Sequence, residues 1–247
     1  MGAWWETYFE ADGWQGVQLG IDADFDEPAQ AEIIERALTL EPGSRVLDVP
    51  TGTGRIAIEL AARGHHVTGI DLTERFLEAG RERAATRGVE VDLRHGDMRA
   101  IDVEPGSFDA ALCFWGSFGY FDPAGDASFV RGVAAALRPG GRLLIDTHSV
   151  ESILPNFRDR GWWETGDLLV LMETEYVVGT GRIETDWTIV GPDGRRERQR
   201  SSVRLYALAE LTALLEDAGF TSFEARDDEL EPFELGSHRL WLVATKG

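Results

Sequence analysis

Glycine and aspartate residues around position 50 have the types and spacing that a nucleotide-binding turn requires. The segment from Val46 to Arg55 is predicted to form a buried strand, a tight turn with Gly52 and Gly54, and the start of a helix. Glycines adopt backbone angles that other residues resist, and they let a ligand approach the main chain. The helix N-terminus after the turn offers free N–H groups to a carboxylate or a phosphate. A plain turn would have the same composition, so nearby residues have to decide between the two.

Two further aspartates follow the next two predicted strands. Asp71 ends the second strand, 23 residues after Asp48, and a carboxylate there can accept both hydroxyls of a ribose. Asp97 follows the third strand, where a carboxylate can receive an adenine amino group. Each aspartate alone could be a helix cap or a turn former. Together they lie at the carboxyl ends of successive strands, where open α/β sheets bind ligands, and they predict a nucleoside-binding site.

The elements that must position these residues alternate between short apolar strands and amphipathic helices. This alternation predicts an α/β fold with a mostly parallel sheet and helices on both faces. After His148 the pattern changes to alternating polar and apolar residues between glycine turns, which predicts a small inserted antiparallel sheet. The predicted strands of the main sheet are 45–49, 66–71, 90–94, 108–114, 142–146, 221–226 and 239–245, and those of the insert are 168–178, 182–190 and 195–206.

Composition and charge exclude several classes of protein. The chain has 247 residues, with 44 acidic and 24 basic side chains and a net charge of −20. This charge argues against a nucleic-acid partner, because phosphate binding needs a basic surface. The single cysteine, Cys113, cannot form an internal disulfide, and no residues have metal-ligand spacing, so we expect no metal. No apolar run approaches the ~18 residues of a membrane span, and the N-terminus lacks signal-peptide features, so we expect a cytoplasmic protein.

With these motifs the chain resembles class I S-adenosylmethionine-dependent methyltransferases. Residues 48–54 resemble the first motif of that family, and Asp71 matches the acidic residue after its second strand. Residues 96–98 match the adenine-contacting motif, and 137–141 match the turn before the fifth strand. The resemblance implies a Rossmann-like domain with S-adenosylmethionine as its cofactor. The cofactor contacts that it implies are Asp48, Pro50, Thr51, Gly52, Gly54, Asp71, Leu72, Asp97, Met98 and Phe114.

Proline at position 50 departs from this family, which usually has a small residue there. Proline fixes φ at about −65° and has no N–H donor, so one backbone contact to the methionine moiety is lost. Thr51 or Arg55 can compensate for that loss.

The resemblance also places the methyl acceptor after the fourth and fifth strands. The segment from Cys113 to Phe121 is an aromatic loop that suits a small, partly apolar acceptor, with ordinary packing as the alternative. The predicted acceptor contacts are Trp115, Phe118 and Tyr8, the last from an N-terminal segment that would close over the cofactor. The predicted catalytic residues are Tyr120 and His148. Histidine titrates near neutral pH, and His148 would lie near the transferring methyl, unless it is a hydrogen-bonded structural residue.

The inserted sheet and the N-terminal aromatic segment resemble the lids of glycine-type and amino-sugar N-methyltransferases. In those relatives an antiparallel insert after the fifth strand covers the acceptor or forms a dimer interface. We therefore predict an N-terminal aromatic cap at 1–28, a Rossmann-like cofactor-binding domain at 29–150 and 203–247, and an inserted antiparallel lid at 151–202, with a homodimer as one option.

These observations predict a methyltransferase that acts on a small molecule, on nitrogen rather than oxygen. The lid resemblance and the acidic surface favour nitrogen, and small-molecule O-methylation is the alternative. A nucleotide-binding oxidoreductase is another alternative, although Gly52, Gly54 and Ala57 fit only the dinucleotide motif that ends in alanine. A further alternative is a non-catalytic module that binds S-adenosylmethionine.

Overall fold

The computed structural model describes residues 3–23 and 26–247, which divide into two compact units. The main unit comprises Glu27–Pro155 and Tyr206–Gly247, and the insert unit comprises Met1–Asp26 and Asn156–Leu205. The predicted division at 28, 150 and 202 into a cap, a cofactor-binding domain and a lid stays a prediction. The N-terminal segment, which the sequence treats as a separate cap, belongs to the same unit as the inserted strands.

Strands and helices alternate through the first part of the main unit, as the sequence pattern predicts. The helices are α1 (Trp5–Tyr8), α2 (Asp12–Ala23), α3 (Glu27–Leu38), α4 (Arg55–Ala62), α5 (Glu74–Arg87), α6 (Pro123–Ala136), α7 (Val150–Ile153) and α8 (Leu208–Asp217), with a 3-10 helix at Leu154–Asn156. The strands are β1 (Arg45–Asp48), β2 (His66–Asp71), β3 (Asp92–His95), β4 (Phe108–Cys113), β5 (Leu137–Thr147), β6 (Arg160–Thr165), β7 (Leu168–Val177), β8 (Arg182–Val190), β9 (Arg196–Arg204), β10 (Phe220–Arg226) and β11 (Leu240–Lys246).

A seven-stranded sheet forms the centre of the main unit, in the order β10-β11-β5-β4-β1-β2-β3. The strands β1 to β5 pair in parallel, and β11 pairs antiparallel with both β5 and β10. The predicted mostly parallel sheet is therefore confirmed. The chain runs outward through β2 and β3 on one side of β1 and through β4 and β5 on the other, so the strand order reverses between β1 and β4. Ligands of open α/β sheets bind outside the carboxyl ends of the strands at such a reversal.

The strand β1 carries apolar residues on both faces, as expected for a parallel strand that helices cover. Val46 belongs to one apolar cluster with Ile34 of α3 and Leu60 of α4. Leu47, the next residue, is also fully buried. Asp48, the last residue of β1, is the first polar residue after this apolar pair. The change from apolar to polar side chains thus marks the carboxyl end of the strand, where a ligand can bind.

A four-stranded antiparallel sheet in the order β6-β7-β8-β9 and the helix α2 form the insert unit. Val17 of α2 packs against Val170 and Ile189 in a buried apolar cluster. The predicted small antiparallel sheet is confirmed, but the sequence analysis missed β6, because the adjacent Trp162 and Trp163 interrupt the alternation of polar and apolar residues. Trp163 packs against the buried cluster, whereas Trp162 is 68% exposed.

The described residues contain neither a membrane-spanning helix nor a cluster of metal ligands. Within residues 3–23 and 26–247, no helix combines the length and the hydropathy needed to cross a membrane. In the same ranges, no group of three or more His, Cys, Asp or Glu side chains is placed to hold a metal ion. Cys113 is a free, buried cysteine at the end of β4.

Candidate active site

The turn between β1 and α4 leaves the main chain open to a ligand. Gly52 and Gly54 have φ angles of 59° and 69°, in the left-handed region that glycine adopts without strain. A Cβ atom at Gly52 would meet no heavy atom within 4 Å, so open space adjoins the backbone there. The helix α4 begins at Arg55, and no side chain caps its N-terminus. The turn is therefore a suitable cradle for an anionic or polar group.

Asp71, at the end of β2, joins this turn to the neighbouring strand. Its Oδ2 accepts a hydrogen bond from the Gly52 N–H (2.8 Å), and its Oδ1 accepts one from the Thr73 N–H (2.8 Å). Burial raises the pKa of Asp71, and the N–H groups of Thr73 and Gly52 oppose that rise. The Thr73 hydroxyl and the Leu72 N–H also favour the ionised form of Asp71, so a ribose hydroxyl would share this carboxylate with several donors of the chain.

Asp48, at the end of β1, is a buried carboxyl with a strongly raised pKa. Burial is the main cause that raises this pKa to about 7. The Thr51 hydroxyl donates a hydrogen bond of 2.7 Å to Asp48 and opposes the rise, the charge of Asp71 adds to it, and the charge of Arg55 lowers the pKa. The carboxyl is therefore close to half ionised at neutral pH, and a cation bound beside it would favour the ionised form.

The loop after β4 is held by Asp146, near the end of β5. The Trp115 N–H donates to Asp146 Oδ2 (2.9 Å), and the Gly116 N–H donates to the Asp146 carbonyl oxygen (3.0 Å). Arg239, just before β11, pairs with the same carboxylate through Nε (2.5 Å to Oδ1) and Nη2 (2.9 Å to Oδ2). The centroid of the Trp115 ring lies 4.3 Å from the guanidinium carbon of Arg55. Trp115 thus links the ends of β4 and β5 to the helix that follows the glycine turn.

The sequence analysis does not single out the pair of Asp146 and Arg239. The two residues are 93 positions apart, and the pairing of β5 with β11 brings them together. Asp146 did carry a signal, because it is an acidic residue near the end of an apolar strand, as Asp48 and Asp71 are. No comparable signal marks Arg239.

Comparison with known proteins identifies the domain that carries these residues. The sequence pattern of a methyltransferase domain family matches residues 46–141. A ubiquinone biosynthesis O-methyltransferase of Xanthomonas euvesicatoria is 33% identical over 145 residues, which are 58% of this chain and 55% of that enzyme. The match thus spans about half of the length of this relative, and the same holds for several other curated relatives.

Solved structures extend the likeness over most of the chain. An S-adenosylmethionine-dependent methyltransferase from Clostridium acetobutylicum is 18% identical with a TM-score of 0.78, over 92% of this chain and 94% of that one. CalS10, an amino pentose methyltransferase from Micromonospora echinaspora solved with S-adenosylmethionine, is 26% identical with a TM-score of 0.68, over 90% and 91% of the two chains. Residues 46–141 form a methyltransferase domain, and the chain has the fold of class I S-adenosylmethionine-dependent methyltransferases. S-adenosylmethionine is the cofactor, as its motifs predict, and the oxidoreductase alternative loses its support.

The residues at the ends of β1 and β2 of this methyltransferase fit its cofactor. Open space lies beside the main chain at Gly52, and the Asp71 carboxylate lies next to it as an acceptor for ribose hydroxyls. The raised pKa of Asp48 shows that this carboxyl lacks a full positive partner, which a sulfonium or ammonium group would supply. Pro50 offers no N–H, but Arg55 and the first turn of α4 can receive a carboxylate.

Leu72, Asp97 and Met98 surround the ends of β2 and β3. The Leu72 side chain is 38% exposed, whereas Met98 is buried. Asp97 pairs with Arg99, whose Nη2 lies 2.5 Å from Oδ2, and this pair lowers the pKa of Asp97. An ionised carboxylate suits a contact with an adenine amino group, which stays a prediction.

Three of the predicted aromatic contacts have buried rings. Phe114 packs edge-on against Trp241 (5.4 Å between centroids), and Phe118 is 2% exposed. Both rings are buried in the main unit, and their contacts with the cofactor and the acceptor stay predictions. Tyr8 packs against Trp14 (4.6 Å) in the insert unit, and its contact with a ligand stays a prediction.

The two predicted catalytic residues are held in their neutral forms. Burial raises the pKa of Tyr120, against the effect of a hydrogen bond with Ser117, so the phenol stays protonated at neutral pH. Burial, together with the charges of Arg239 and His238, lowers the pKa of His148 to about 3. Arg239 Nη1 lies 3.4 Å from His148 Nε2, and an arginine can only donate. Both side chains can orient an acceptor, but the structure does not favour His148 as a general base at neutral pH.

Replacement of Asp71 tests the assignment of the cofactor site. We expect Asp71→Asn to weaken the binding of S-adenosylmethionine by roughly 5- to 150-fold, because charge-assisted hydrogen bonds are lost. Calorimetric titration with S-adenosylmethionine and S-adenosylhomocysteine measures the change. Asp92→Asn is the matched control, since Asp92 is an exposed carboxylate at the amino end of β3. Unchanged affinity in a folded Asp71→Asn protein would remove Asp71 from the site.

The pKa of Asp48 predicts a pH-dependent affinity. With a pKa of about 7, the carboxyl is mostly protonated at pH 6 and mostly ionised at pH 8, and only the ionised form attracts the cationic cofactor. We expect affinity to rise by roughly fivefold to tenfold over that interval, with about half a proton released per cofactor bound at pH 7. In Asp48→Asn the part of this rise that Asp48 causes should disappear. The titration of the cofactor's own groups affects the affinity of both proteins equally. Equal slopes in the two proteins would show that Asp48 does not sense the cofactor.

Proposed function

We propose that this methyltransferase transfers the methyl group of S-adenosylmethionine to the nitrogen of a small-molecule amine. The observation that carries the proposal is the neutral state of the two predicted catalytic residues. His148 has a pKa of about 3, and Tyr120 stays protonated at neutral pH. An alcohol or a phenol has to give up its proton to a base during transfer, whereas a neutral amine attacks with its own lone pair.

The loop between β10 and β11 supports a basic acceptor. Residues 227–234 contain five acidic side chains, and the loop ends where Leu240 pairs with Thr147 at the carboxyl end of β5. Negative potential along this edge of the sheet attracts a protonated amine, which has to release its proton to water before its lone pair can attack, and it repels phosphates. The net charge of −20 adds to the argument for a small molecule rather than a nucleic acid.

The relatives support two kinds of acceptor. CalS10 acts on an amino pentose, which favours nitrogen. The ubiquinone biosynthesis enzyme is an O-methyltransferase, and small-molecule O-methylation is therefore the second candidate function. The neutral forms of Tyr120 and His148 favour nitrogen in this proposal.

The residues of this chain would act by binding and orientation. S-adenosylmethionine supplies an electrophilic methyl group, whose bond to sulfur breaks as the acceptor nitrogen forms its new bond to carbon. Gly52 and Asp71 would hold the cofactor, and ionised Asp48 would balance its positive charge. The Tyr120 hydroxyl and the His148 ring would orient the acceptor by hydrogen bonds, and the proton of the product ammonium would leave to water. Positioning and exclusion of water then account for much of the acceleration.

A panel of matched acceptors tests this function. Each amine is paired with the alcohol or phenol of the same skeleton, and the assay follows S-adenosylhomocysteine release and the mass of the product. We expect methylated amines and unmodified alcohols, with Asp71→Asn as the binding-deficient control. Methylation of the hydroxyl partners alone would establish the O-methyltransferase. Tight cofactor binding without turnover on any pair would favour the non-catalytic module.

Replacement of His148 separates an orienting role from that of a base. Loss of a general base lowers turnover by about 10²- to 10⁴-fold, whereas loss of one orienting hydrogen bond should lower it by only about tenfold or less. We expect His148→Asn to fall in the second range and to keep the wild-type dependence of kcat on pH. His66→Asn is the control, since His66 is exposed at the amino end of β2, the end away from Asp71. A hundredfold loss with an altered pH profile would restore the role of a base.

A further inference from the structure

Trp115 has a backbone conformation that a bulky residue avoids. Its φ is 64°, in the left-handed region, and the next residue, Gly116, has a φ of 71°. A large side chain persists there only where its surroundings impose the conformation. The two successive N–H groups donate to the carboxylate and to the carbonyl of Asp146. The end of β5 therefore imposes the shape of the loop after β4.

In the part of the chain that the structure describes, the Asp146 carboxylate accepts hydrogen bonds from Trp115 and Arg239. Its Oδ2 accepts from the Trp115 N–H and from Nη2 of Arg239, and its Oδ1 accepts from Nε of Arg239. Asp146 is 1% exposed, so water cannot replace these partners. A carboxylate accepts at both oxygens, whereas an amide has one acceptor and one donor. An asparagine at this position would necessarily direct an N–H group at another N–H group.

The side chain of Trp115 reaches the cofactor half of the site. Its ring centroid lies 4.3 Å from the Arg55 guanidinium carbon and 6.0 Å from that of Arg239, within the range of cation–π contacts. Arg55 is the first residue of α4 and directly follows Gly54 in the turn. Trp115 therefore contacts the residue that directly follows the glycine turn.

We propose that Asp146 is a positioning residue that fixes Trp115 against Arg55 and so couples the acceptor loop to the cofactor turn. Asp146 acts through Trp115, with Arg239 holding its carboxylate in place. The part of this inference that concerns methyl transfer rests on the proposed function, whereas the coupling itself concerns only the cofactor turn and the loop.

A set of four variants tests the coupling by kinetics. Asp146→Asn should lower kcat/KM for the amine found in the acceptor panel by about tenfold or more, with less than about a threefold change in cofactor affinity. Trp115→Gly keeps a residue that adopts a positive φ but removes the indole, and it should give a similar loss. If Asp146 acts through Trp115, the double variant should be no worse than Trp115→Gly alone. Multiplied losses in the double variant, or full activity in either single variant, would overturn the proposal.

Asp109→Asn is the matched control. Asp109 lies near the amino end of β4, the strand that precedes Trp115, and also accepts from one backbone N–H, that of Arg45 (2.7 Å), and from an arginine, Arg138 (2.6 Å). The same change in the same kind of hydrogen-bond network should leave kcat/KM within about twofold of wild type. A loss in Asp109→Asn equal to that in Asp146→Asn would reduce the effect to general destabilisation.

A spectroscopic measurement tests the positioning without any acceptor. The chain has eight tryptophans, each with one indole N–H signal, and Trp115→Gly identifies the signal of Trp115 by its loss. In the wild type this signal should shift when S-adenosylhomocysteine binds. In Asp146→Asn it should be displaced in the free protein and insensitive to the ligand, while Asp109→Asn behaves as wild type. A signal that ignores the ligand in the wild type would overturn the coupling, whatever the acceptor panel shows.

Discussion

The hydrogen bond from the Gly52 N–H to the Asp71 carboxylate joins the glycine turn to the end of β2, where we propose that the cofactor binds. The strands β1 and β2 pair in parallel, with Asp48 opposite Gly69, and the Thr51 N–H extends this ladder by donating to the Ile70 carbonyl (2.9 Å). Asp71 then receives the next donor of the turn. Because Asp71 accepts from the Gly52 N–H, the chain leaves the sheet at this glycine and enters α4 without leaving that N–H without a hydrogen-bond acceptor.

Buried carboxylates at neighbouring strand ends impose a second constraint. Asp48, Asp71 and Asp146 are all buried, and burial penalises the charged form of each. Two backbone N–H groups compensate Asp71, and the Arg239 guanidinium compensates Asp146. Asp48 accepts a hydrogen bond from the Thr51 hydroxyl. This bond offsets the effect of burial only in part, so the pKa of Asp48 is raised to about 7. Arg55 lowers this pKa in part, and we propose that the sulfonium group of the cofactor adds to that effect.

The sequence predicts the parts of the fold and site that depend on local pattern. The ends of buried strands can be read from the change between apolar and polar residues, which is how Asp48 and Asp71 are found. Contacts between distant segments are not encoded in this way, so the pair of Asp146 and Arg239 was missed. The direction of a loop side chain depends on backbone angles: Trp115 takes a positive φ, while Phe118, three residues later, enters the core.

The same charge balance bears on the acceptor. Arg239 is paired with Asp146, yet it still lowers the pKa of His148, so the acceptor loop has neutral hydrogen-bonding groups and no effective base at neutral pH. Methylation of a neutral amine moves a positive charge from sulfur to nitrogen and creates no new charge. A buried site whose carboxylates are already fixed around a cation tolerates that movement with little reorganisation. Methylation of a hydroxyl group would instead require a proton acceptor at the point of transfer. Tyr120 keeps its own proton at neutral pH, and His148, with a pKa of about 3, is a weak base.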